Sequence, residues 1–348
     1  MKHLRKLTRF LARNRQRLSP LLILTHDYPD PDAMASAWAL QHLAEERFGI
    51  RSKIAYGGVI GRHENKEMMR VLRPPASRLR SSDLAFYPNI ALVDTQPTFD
   101  NNSFPKSRRA TIVIDQHPSS GRPLADLVIV DADAGATSVL LAQELLAQDL
   151  NIPPRLATAL VYGILSDTLH LYHVTKPHIV KTYLALLPLC DIRALARIQN
   201  PPRSKKFFRG LAGGLRNAII GRQIIISHLG AVENPDLVAQ MADFLLTCQG
   251  MQWSFCTGRY GDFLHVSLRT TSSRPSAGDV LRQIFDHFDQ AGGHGRIAGG
   301  KVKVGRMTDQ VEWQGTEFLL TERLAKRLRG IRVQKFQPLI KESLRAPG

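Results

Sequence analysis

The sequence has few cysteines, no long apolar run and no acidic residue near its start. Its three cysteines, Cys190, Cys248 and Cys256, form no CxxC pair. This disfavours a disulfide framework or a zinc knuckle and favours a reducing, cytoplasmic location. No run of about 18 apolar residues occurs, so we expect no membrane-spanning helix. The sequence also lacks a Walker-type phosphate loop and a GxSxG nucleophile elbow, which disfavours P-loop ATP hydrolysis and acyl transfer.

Positive charge exceeds negative charge by a wide margin. The 348 residues carry 47 lysines and arginines against 30 aspartates and glutamates, a formal net charge of +17. Such a balance favours polyanionic partners such as nucleic acid, nucleotides or polyphosphate. Basic residues are concentrated near both ends, from Lys2 to Arg17 and from Arg323 to Lys335. These two segments are also compatible with ordinary solvated surface helices, and both interpretations stay open.

One stretch after the first apolar segment is rich in metal-binding residue types. Leu21-Leu22-Ile23-Leu24 is typical of a buried strand, and the residues from Ala33 to Phe48 have the apolar spacing of a helix. The turn between them contains His26, Asp30 and Asp32. In open α/β sheets, the carboxyl ends of the strands are where ligands bind.

Further acids follow later strands of the same half. We predict strands at 89–93, 111–114 and 127–130, and helices at 136–148 and 154–165. Alternating strands and helices predict a doubly wound parallel sheet. Asp94 and Asp115-Gln116-His117 follow two of these strands, so they should meet the turn after the first strand at one edge of the sheet.

The Pro- and Lys-rich segment 200–206 marks the best domain boundary. After it we predict a second, smaller α/β domain that faces the first across a cleft. Its most unusual stretch is Gly292 to Gly300, with His294 and Arg296 among glycines. We interpret it as a loop whose backbone approaches a ligand, or as a surface loop without function.

Oxygen ligands with imidazole suit Mn²⁺ or Mg²⁺ better than a soft-ligand zinc site. Several aspartates in one cleft can hold two ions that share a carboxylate. Such a pair, roughly 3.5–4 Å apart, can activate water for in-line displacement at phosphorus. The residues alone therefore favour metal-dependent phosphoester hydrolysis.

The ordered set of motifs from Leu21 to Lys303 resembles the DHH phosphoesterase superfamily, in the branch with a DHH-associated C-terminal domain. The motifs are His26-x3-Asp30-x-Asp32-Ala33, Asp94, Asp115-Gln116-His117, Asp167 and Gly292-Gly293-His294. Within this superfamily, the chain looks most similar to nanoRNases and to phosphatases of 3′-phosphoadenosine 5′-phosphate (pAp).

The resemblance implies roles for these residues. His26, Asp30 and Asp94 would hold one Mn²⁺, and Asp32, Asp94 and Asp167 the second, with Asp94 bridging. Asp115 and His117 would belong to the catalytic group, and His117 would face the scissile phosphate. Gly292, Gly293 and His294 would grip the substrate, and Arg269, in a segment similar to the family's Ser-Leu-Arg-Ser strand end, would bind a second phosphate.

The chain departs from the family at Gln116, where the family has a histidine ligand of the second metal. A neutral amide oxygen is a weaker donor, so the second site could bind metal more weakly, prefer Mg²⁺, or support a reduced or changed activity.

The resemblance and the sequence pattern together imply five segments. They are a basic segment at 1–19, a metal-binding catalytic domain at 20–190, linker helices at 191–215, a substrate-binding domain at 216–310 and a basic helix and tail at 311–348.

The function that follows is a two-metal phosphoesterase acting on short RNA or DNA, as a nanoRNase-like 3′-5′ exonuclease, or on pAp-type nucleotides. Two alternatives stay open. One is a hydrolase of cyclic dinucleotides or polyphosphate that uses the same site. The other is a nucleic-acid-binding module whose catalysis is impaired at Gln116. The sequence leaves the oligomeric state open, a homodimer included.

Overall fold

The chain divides into two compact units between Pro201 and Pro202. This division lies within the segment that the sequence predicts as a linker. A computed structural model describes residues 5–61, 63–118, 121, 123–172, 174, 176–272, 274–286, 291–305, 309–329 and 335–340. Arg62, which the sequence places at the start of a short helix, and the outermost residues of both basic ends lie outside the described residues. None of the helices described has the length and apolarity to cross a membrane.

The first unit is a parallel α/β structure. Its strands are β1 (Leu21–Leu24), β2 (Ser52–Tyr56), β3 (Ala76–Arg78), β4 (Asn89–Val93), β5 (Ala110–Asp115) and β6 (Ala125–Val130). Its helices are α1 (Lys6–Leu18), α2 (Pro31–Phe48), α3 (His63–Leu72), α4 (Ser81–Phe86), α5 (Thr137–Ala147), α6 (Pro154–Asp167), α7 (Pro177–Leu186) and α8 (Ile192–Gln199).

The strand order β3-β2-β1-β4-β5-β6 places the first strand in the interior of the sheet. Every pairing is parallel, and Leu21 lies opposite both Ser52 and Asn89. The four residues of β1 are fully buried because both faces of the sheet are covered, as a continuous apolar strand requires. The chain order reverses between β1 and β4, and this switch point is where open α/β sheets bind ligands.

The two faces of this sheet have separate cores. Leu21 and Ile23 pack with the helices α1, α2, α5 and α6. Leu22 and Leu24 face the opposite side, where Phe104 and the residues of α4 complete a smaller core. A strand with four consecutive apolar residues therefore supplies both layers, which is the physical reason for its composition.

Two short elements were absent from the sequence interpretation. The edge strand β3 has three residues without an apolar alternation, and it forms because β2 offers it a free parallel edge. The helix α4 has six residues, too few to show a helical period, and Asp83 caps its start through the backbone N–H of Arg80.

The second unit has a mixed sheet in the order β11-β12-β10-β9-β8-β7-β13. Its strands are β7 (Ile219–Gly221), β8 (Ile224–Ala231), β9 (Trp253–Tyr260), β10 (Phe263–Thr270), β11 (Ala291–His294), β12 (Ile297–Lys303) and β13 (Gln337–Pro338). Its helices are α9 (Lys205–Arg216), α10 (Asp236–Leu246), α11 (Ala277–Ile284) and α12 (Gln310–Arg329).

The glycine-rich stretch that the sequence predicts as a loop forms a hairpin, and this prediction was wrong. The strands β11 and β12 pair antiparallel, with Gly292 opposite Gly299 and His294 opposite Ile297. Glycine is depleted in strands because it has no side chain to pack, so its abundance here concealed the pairing.

Candidate metal centre

Three strand ends of the first unit bring polar side chains into one place. His26 and Asp30 follow β1, Asp94 follows β4, and Asp115 ends β5. Ligand atoms of His26, Asp30 and Asp94 all lie within 4.8 Å of one another. The same holds for Asp94, Asp115 and His117, so the two clusters share Asp94. The convergence expected from the strand pattern is therefore present.

His26 is oriented with one ring nitrogen toward the acids. Its Nδ1 lies 2.8 Å from the carbonyl oxygen of Asp27, which can only accept a hydrogen bond, so Nδ1 donates. Its Nε2 lies 3.8 Å from Asp30 Oδ1 and 3.6 Å from Asp94 Oδ2. Burial lowers the pKa of His26, but the hydrogen bond and charge of Asp30 outweigh burial and raise it above 6.5. A neutral ring in this tautomer would offer Nε2 to a cation.

Asp30 is fixed because it caps a helix. Its Oδ1 accepts a hydrogen bond of 3.0 Å from the backbone N–H of Ala33, and Pro31 occupies the first position of α2. Both features are favourable at a helix start. The side chain remains partly exposed, so a cation or ligand can reach it.

Asp32 lies in the first turn of α2, and its side chain contacts the start of α5 and belongs to neither cluster. Its Oδ2 accepts from the backbone N–H of Thr137 at 2.7 Å, and its Oδ1 accepts from that of Ser138 at 2.8 Å. Burial and the charge of Asp30 raise the pKa of Asp32 from 3.8 to about 6, although these hydrogen bonds lower it. Its role as a metal ligand remains a prediction, because both oxygens already accept hydrogen bonds.

Asp94 is the buried acid that both clusters share. Its side chain is 2 % exposed, and Oδ1 accepts a hydrogen bond of 2.7 Å from the hydroxyl of Thr137. Burial, with the charges of Asp32, Asp30 and Asp167, raises its pKa well above 3.8. Its φ of 58° lies in the left-handed region, which asparagine and aspartate tolerate better than most residues.

Asp115 and His117 form a hydrogen-bonded pair. The backbone N–H of His117 donates to Asp115 Oδ1 at 3.1 Å, and His117 Nδ1 lies 2.8 Å from the same oxygen. Gln96 donates to Asp115 Oδ2 at 2.7 Å. The hydrogen bond with Asp115 raises the pKa of His117 above 6.5, despite partial burial. With Nδ1 engaged, Nε2 is the nitrogen that His117 can offer to a ligand.

Gln116 and Asp167, both predicted to bind the second metal ion, form a hydrogen bond with each other. The side-chain N–H of Gln116 donates to Asp167 Oδ2, and Asp167 is the last residue of α6. Asp167 belongs to neither of the two clusters of candidate ligands. If Gln116 binds a cation, its carbonyl oxygen must do so, because the amide nitrogen has no free lone pair.

The close approach of α6 depends on one glycine. A Cβ at Gly163 would lie 3.2 Å from Asp32 Cα and 3.3 Å from the carbonyl oxygen of Pro31. These contacts are tighter than most packed side chains allow. Gly163 therefore lets α6 lie against the start of α2, and this packing brings Asp167 toward the acids.

Sequence interpretation missed the residues that hold the acids in place: Thr137, Ser138 and Gln96. Thr137 and Ser138 open a helix that the sequence does predict, and small hydroxyl residues are typical of helix starts. Their hydrogen-bond partners are more than 40 residues away in the chain, so spacing gives no signal for the contact.

The donor set suits a divalent cation. Within the described residues, no lysine or arginine pairs with Asp32, Asp94 or Asp115, all of which are buried. Carboxylate oxygens and imidazole nitrogens are ligands for Mg²⁺, Mn²⁺ and similar ions. Buried carboxylates with raised pKa values are stabilised when a cation, or a proton, replaces the missing positive charge.

Arg269, predicted as a phosphate clamp in the second unit, is largely engaged within the protein. It is 5 % exposed, its Nε donates to Asp243 Oδ1, and its Nη1 donates to the carbonyl oxygens of Leu268 and Ala298 at 3.1 Å. It lines a cavity of about 260 Å³ together with Ser267, whose hydroxyl has no partner there.

The predicted glycine residues lie in the hairpin strand β11. Gly293 has a φ of 141°, and a Cβ there would lie 2.4 Å from the carbonyl oxygen of Ile297. The hairpin alone therefore requires glycine at this position. Gly292 is exposed, and the side chain of His294 lies outside the described part of the structure. Substrate binding by these three residues remains a prediction.

Residues 20–164 match the DHH family, N-terminal domain. This match covers most of the first unit and confirms the resemblance that the motifs from His26 to His117 predict. The chain is 36% identical over 292 residues to the uncharacterized protein MJ1633 of Methanocaldococcus jannaschii. The aligned region covers 83% of this chain and 59% of that protein.

A more distant relative is the A-adding tRNA nucleotidyltransferase of Geobacter sulfurreducens, 24% identical over 242 residues, or 66% of this chain and 27% of that protein. The chain thus spans less than two thirds of the length of both relatives. Among solved structures, an exopolyphosphatase-related protein from Bacteroides fragilis superposes with a TM-score of 0.71 at 16% identity. That match covers 92% of this chain and 98% of that protein, and it supports the fold.

Proposed function

We propose that this chain is a metal-dependent phosphoesterase that hydrolyses very short oligonucleotides, or nucleotides of the pAp type. The observation that carries the proposal is the pair of ligand clusters that share the buried Asp94. A carboxylate common to two clusters is the arrangement that a pair of bridged divalent cations requires. The DHH-family domain, which contains both clusters, supports the same reaction class.

His26, Asp30 and Asp94 would hold one cation. Asp94 would also hold the second, together with Asp115 or with the predicted ligands Asp32, Gln116 and Asp167. When bound, such cations act as Lewis acids for phosphoryl oxygens and for the attacking water. We place Mn²⁺ or Mg²⁺ there on donor chemistry alone.

His117 is the side chain best placed to act on the reacting phosphate. Its pKa is raised by Asp115, so more of the ring carries a proton near neutral pH than for a free histidine. Its side chain is 44% exposed, so Nε2 can reach a ligand. A protonated Nε2 would donate to a phosphoryl oxygen or to the leaving group, while Asp115 holds the ring in place.

The test is turnover of defined substrates by the pure full-length protein with Mn²⁺ or Mg²⁺. The substrates would be dinucleotides of RNA and DNA, pAp, cyclic dinucleotides and inorganic polyphosphate. The proposal expects the highest specificity constant for a dinucleotide or for pAp. A higher constant for polyphosphate or a cyclic dinucleotide would contradict the substrate assignment. No turnover of any phosphoester, with metal shown to be bound, would contradict the enzymatic function itself.

The non-enzymatic alternative predicts a different result for one substitution. If catalysis is impaired at Gln116, Gln116→His should create or strongly increase turnover. Our proposal expects the wild-type protein to turn over substrate already, and Gln116→His to change its metal requirement more than its maximal rate. Binding of metal by each variant, measured by calorimetry, separates the two cases.

A further inference from the structure

The helix α1 has a strongly basic exposed face. Between Lys2 and Arg17 the chain has seven basic residues and no acidic residue. Lys6, Arg9, Arg13 and Arg15 are exposed, and among the described residues none of them forms an ion pair. Arg17 shares Asp126 with Arg109. The charge of this helix is therefore almost entirely uncompensated.

The basic side chains of α1 lie close enough to one another to destabilise the helix. Arg9, Arg13 and Arg17 are spaced four residues apart, and like charges at this spacing lie near one another and repel. No acidic residue occupies the first turn of α1. An external polyanion would relieve this repulsion, and the charge spacing favours one that is extended along the helix.

The apolar face of α1 is already occupied. Leu7, Leu11 and Leu18 are at most 1% exposed and belong to the main core of the first unit. An amphipathic helix that lies in a membrane surface inserts its apolar face between the lipids. Because that face is buried within the protein, α1 can offer a partner only its charged face. Binding by charge alone is the mode by which proteins hold the phosphates of nucleic acids.

The C-terminal end of the basic helix and the metal centre lie at opposite ends of β4. The carbonyl oxygen of Arg17 accepts from the side chain of Asn89, the first residue of β4, whereas Asp94 follows the last residue of β4. A strand of this length spans roughly 16 Å at about 3.3 Å per residue. Two nucleotides of a helical strand span about 7 Å. A dinucleotide in this stacked geometry therefore does not reach from the end of α1 to Asp94.

We infer that the exposed face of α1 is a docking surface for the phosphate backbone of a polynucleotide longer than the substrates of the metal centre. The inference goes beyond the proposed hydrolysis, because it needs neither bound metal nor turnover. It assigns the surface to a polynucleotide because α1 provides positive charge along an extended line and no accessible apolar face.

The test measures binding of a labelled single-stranded RNA of about 30 nucleotides by fluorescence anisotropy. The measurements are made in EDTA at several salt concentrations. The variant Lys6→Gln/Arg9→Gln/Arg13→Gln should bind at least about tenfold more weakly near 0.1 M salt, and the slope of log K against log salt should fall by about 2. DNA of the same length should show the same losses, since the contacts are to phosphates.

The matched control is Arg155→Gln/Lys181→Gln/Arg193→Gln, which removes three exposed basic residues of the same unit outside α1. It should bind like the wild type, and both triple variants should retain the thermal stability and dinucleotide turnover of the wild type. Equal affinity of the α1 variant and the wild type would overturn the inference. So would an equal loss in the control, or tighter binding to phosphatidylserine vesicles than to RNA.

Discussion

Buried charge is handled differently in the two units of this chain. At the candidate metal centre of the first unit, the buried acids Asp32 and Asp94 lie near other acids, and their pKa values are raised. In the second unit, the buried guanidinium of Arg259 pairs with Glu317 at 2.8 Å and stacks near the ring of Trp313. Arg269 pairs in the same way with Asp243. These buried cations of the second unit have acidic partners within the protein. The buried acids Asp32 and Asp94 of the first unit have no lysine or arginine partner among the described residues.

This difference between the two regions shows how a structural ion pair can be distinguished from a binding site. Both regions contain buried ionisable groups, and burial alone does not distinguish them. What distinguishes them is the sign of the neighbours. A carboxylate beside a guanidinium stabilises the fold, whereas a carboxylate beside carboxylates destabilises it until a cation binds. Substitutions in the two regions should therefore have opposite effects on stability.

The largest effect should follow from removing the shared acid of the metal centre. Asp94→Asn keeps a residue that tolerates the left-handed backbone and removes the charge. We expect phosphoesterase activity to fall at least about a thousandfold, since loss of an outer partner of a ligand already costs 10–100-fold. Activity assays with saturating Mn²⁺ measure this, with Asp100→Asn, an exposed acid of the same unit, as the control. Retention of substantial activity would refute the bridging role of Asp94.

The second effect is on stability in the other unit. Glu317→Ala leaves the Arg259 guanidinium buried without its carboxylate partner, so the free energy of unfolding should fall by about 3 kcal/mol or more. Urea unfolding followed by tryptophan fluorescence, to which Trp253 and Trp313 contribute, measures the change. Glu312→Ala, at an exposed position of the same helix, is the control and should cost about 0.5 kcal/mol. A cost no greater than that of the control would show that the buried pair does not stabilise the unit.

The third effect is a dependence of stability on pH that only the metal-free protein should show. The pKa of Asp32 is 3.8 when unfolded and about 6 when folded, so the folded state binds more protons in this range. The free energy of unfolding therefore falls as the pH rises toward 6, by about 1–3 kcal/mol. The raised pKa values of His26 and His117 extend the fall above pH 6.5 in the same direction.

Thermal unfolding from about pH 5 upward, where unfolded carboxyl groups are ionised, is the measurement. Saturating Mn²⁺ should remove the fall, because the cation takes the place of the bound protons. A metal-free protein whose stability rises through this range would contradict the assignment of uncompensated acids to the first unit.

The smallest effect concerns Gln116. Gln116→Ala removes the hydrogen bond to Asp167, and we expect about tenfold weaker binding of the second metal ion, as for other losses of an orienting partner. The measurement is activity as a function of Mn²⁺ concentration. Excess metal should restore the maximal rate. An unchanged metal dependence would mean that Gln116 takes no part in the centre.

The sequence predicted that these side chains would lie close together because parallel sheets are regular. Once strands alternate with helices, the residues after each strand must lie at one edge, and His26, Asp94 and Asp115 follow from that rule alone. It could not predict which acids face one another. The orientation of Asp32 toward α5 depends on how two helices pack, and no local pattern records that contact.

The prediction was weaker where glycine was the main signal. Glycine indicates that a side chain is excluded, but it does not show whether a ligand or another strand causes the exclusion. At Gly293 the neighbouring strand is the cause, because Ile297 and Ala298 occupy the space of a Cβ. Arg269 of β10 was predicted to bind phosphate, but no local pattern indicates that Asp243 of α10 pairs with it.

Thr137 has a consequence for how this centre can change over evolutionary time. Its backbone N–H binds Asp32 and its hydroxyl binds Asp94, so one residue sets the spacing of two acids that come from different parts of the chain. A small axial displacement of α5 would alter that spacing while every acid stays in the sequence. Divalent cations differ in their metal–oxygen distances, from about 2.0 Å to about 2.6 Å. The centre can therefore adapt to a different cation through changes in the packing of α5, a helix that supplies no ligand.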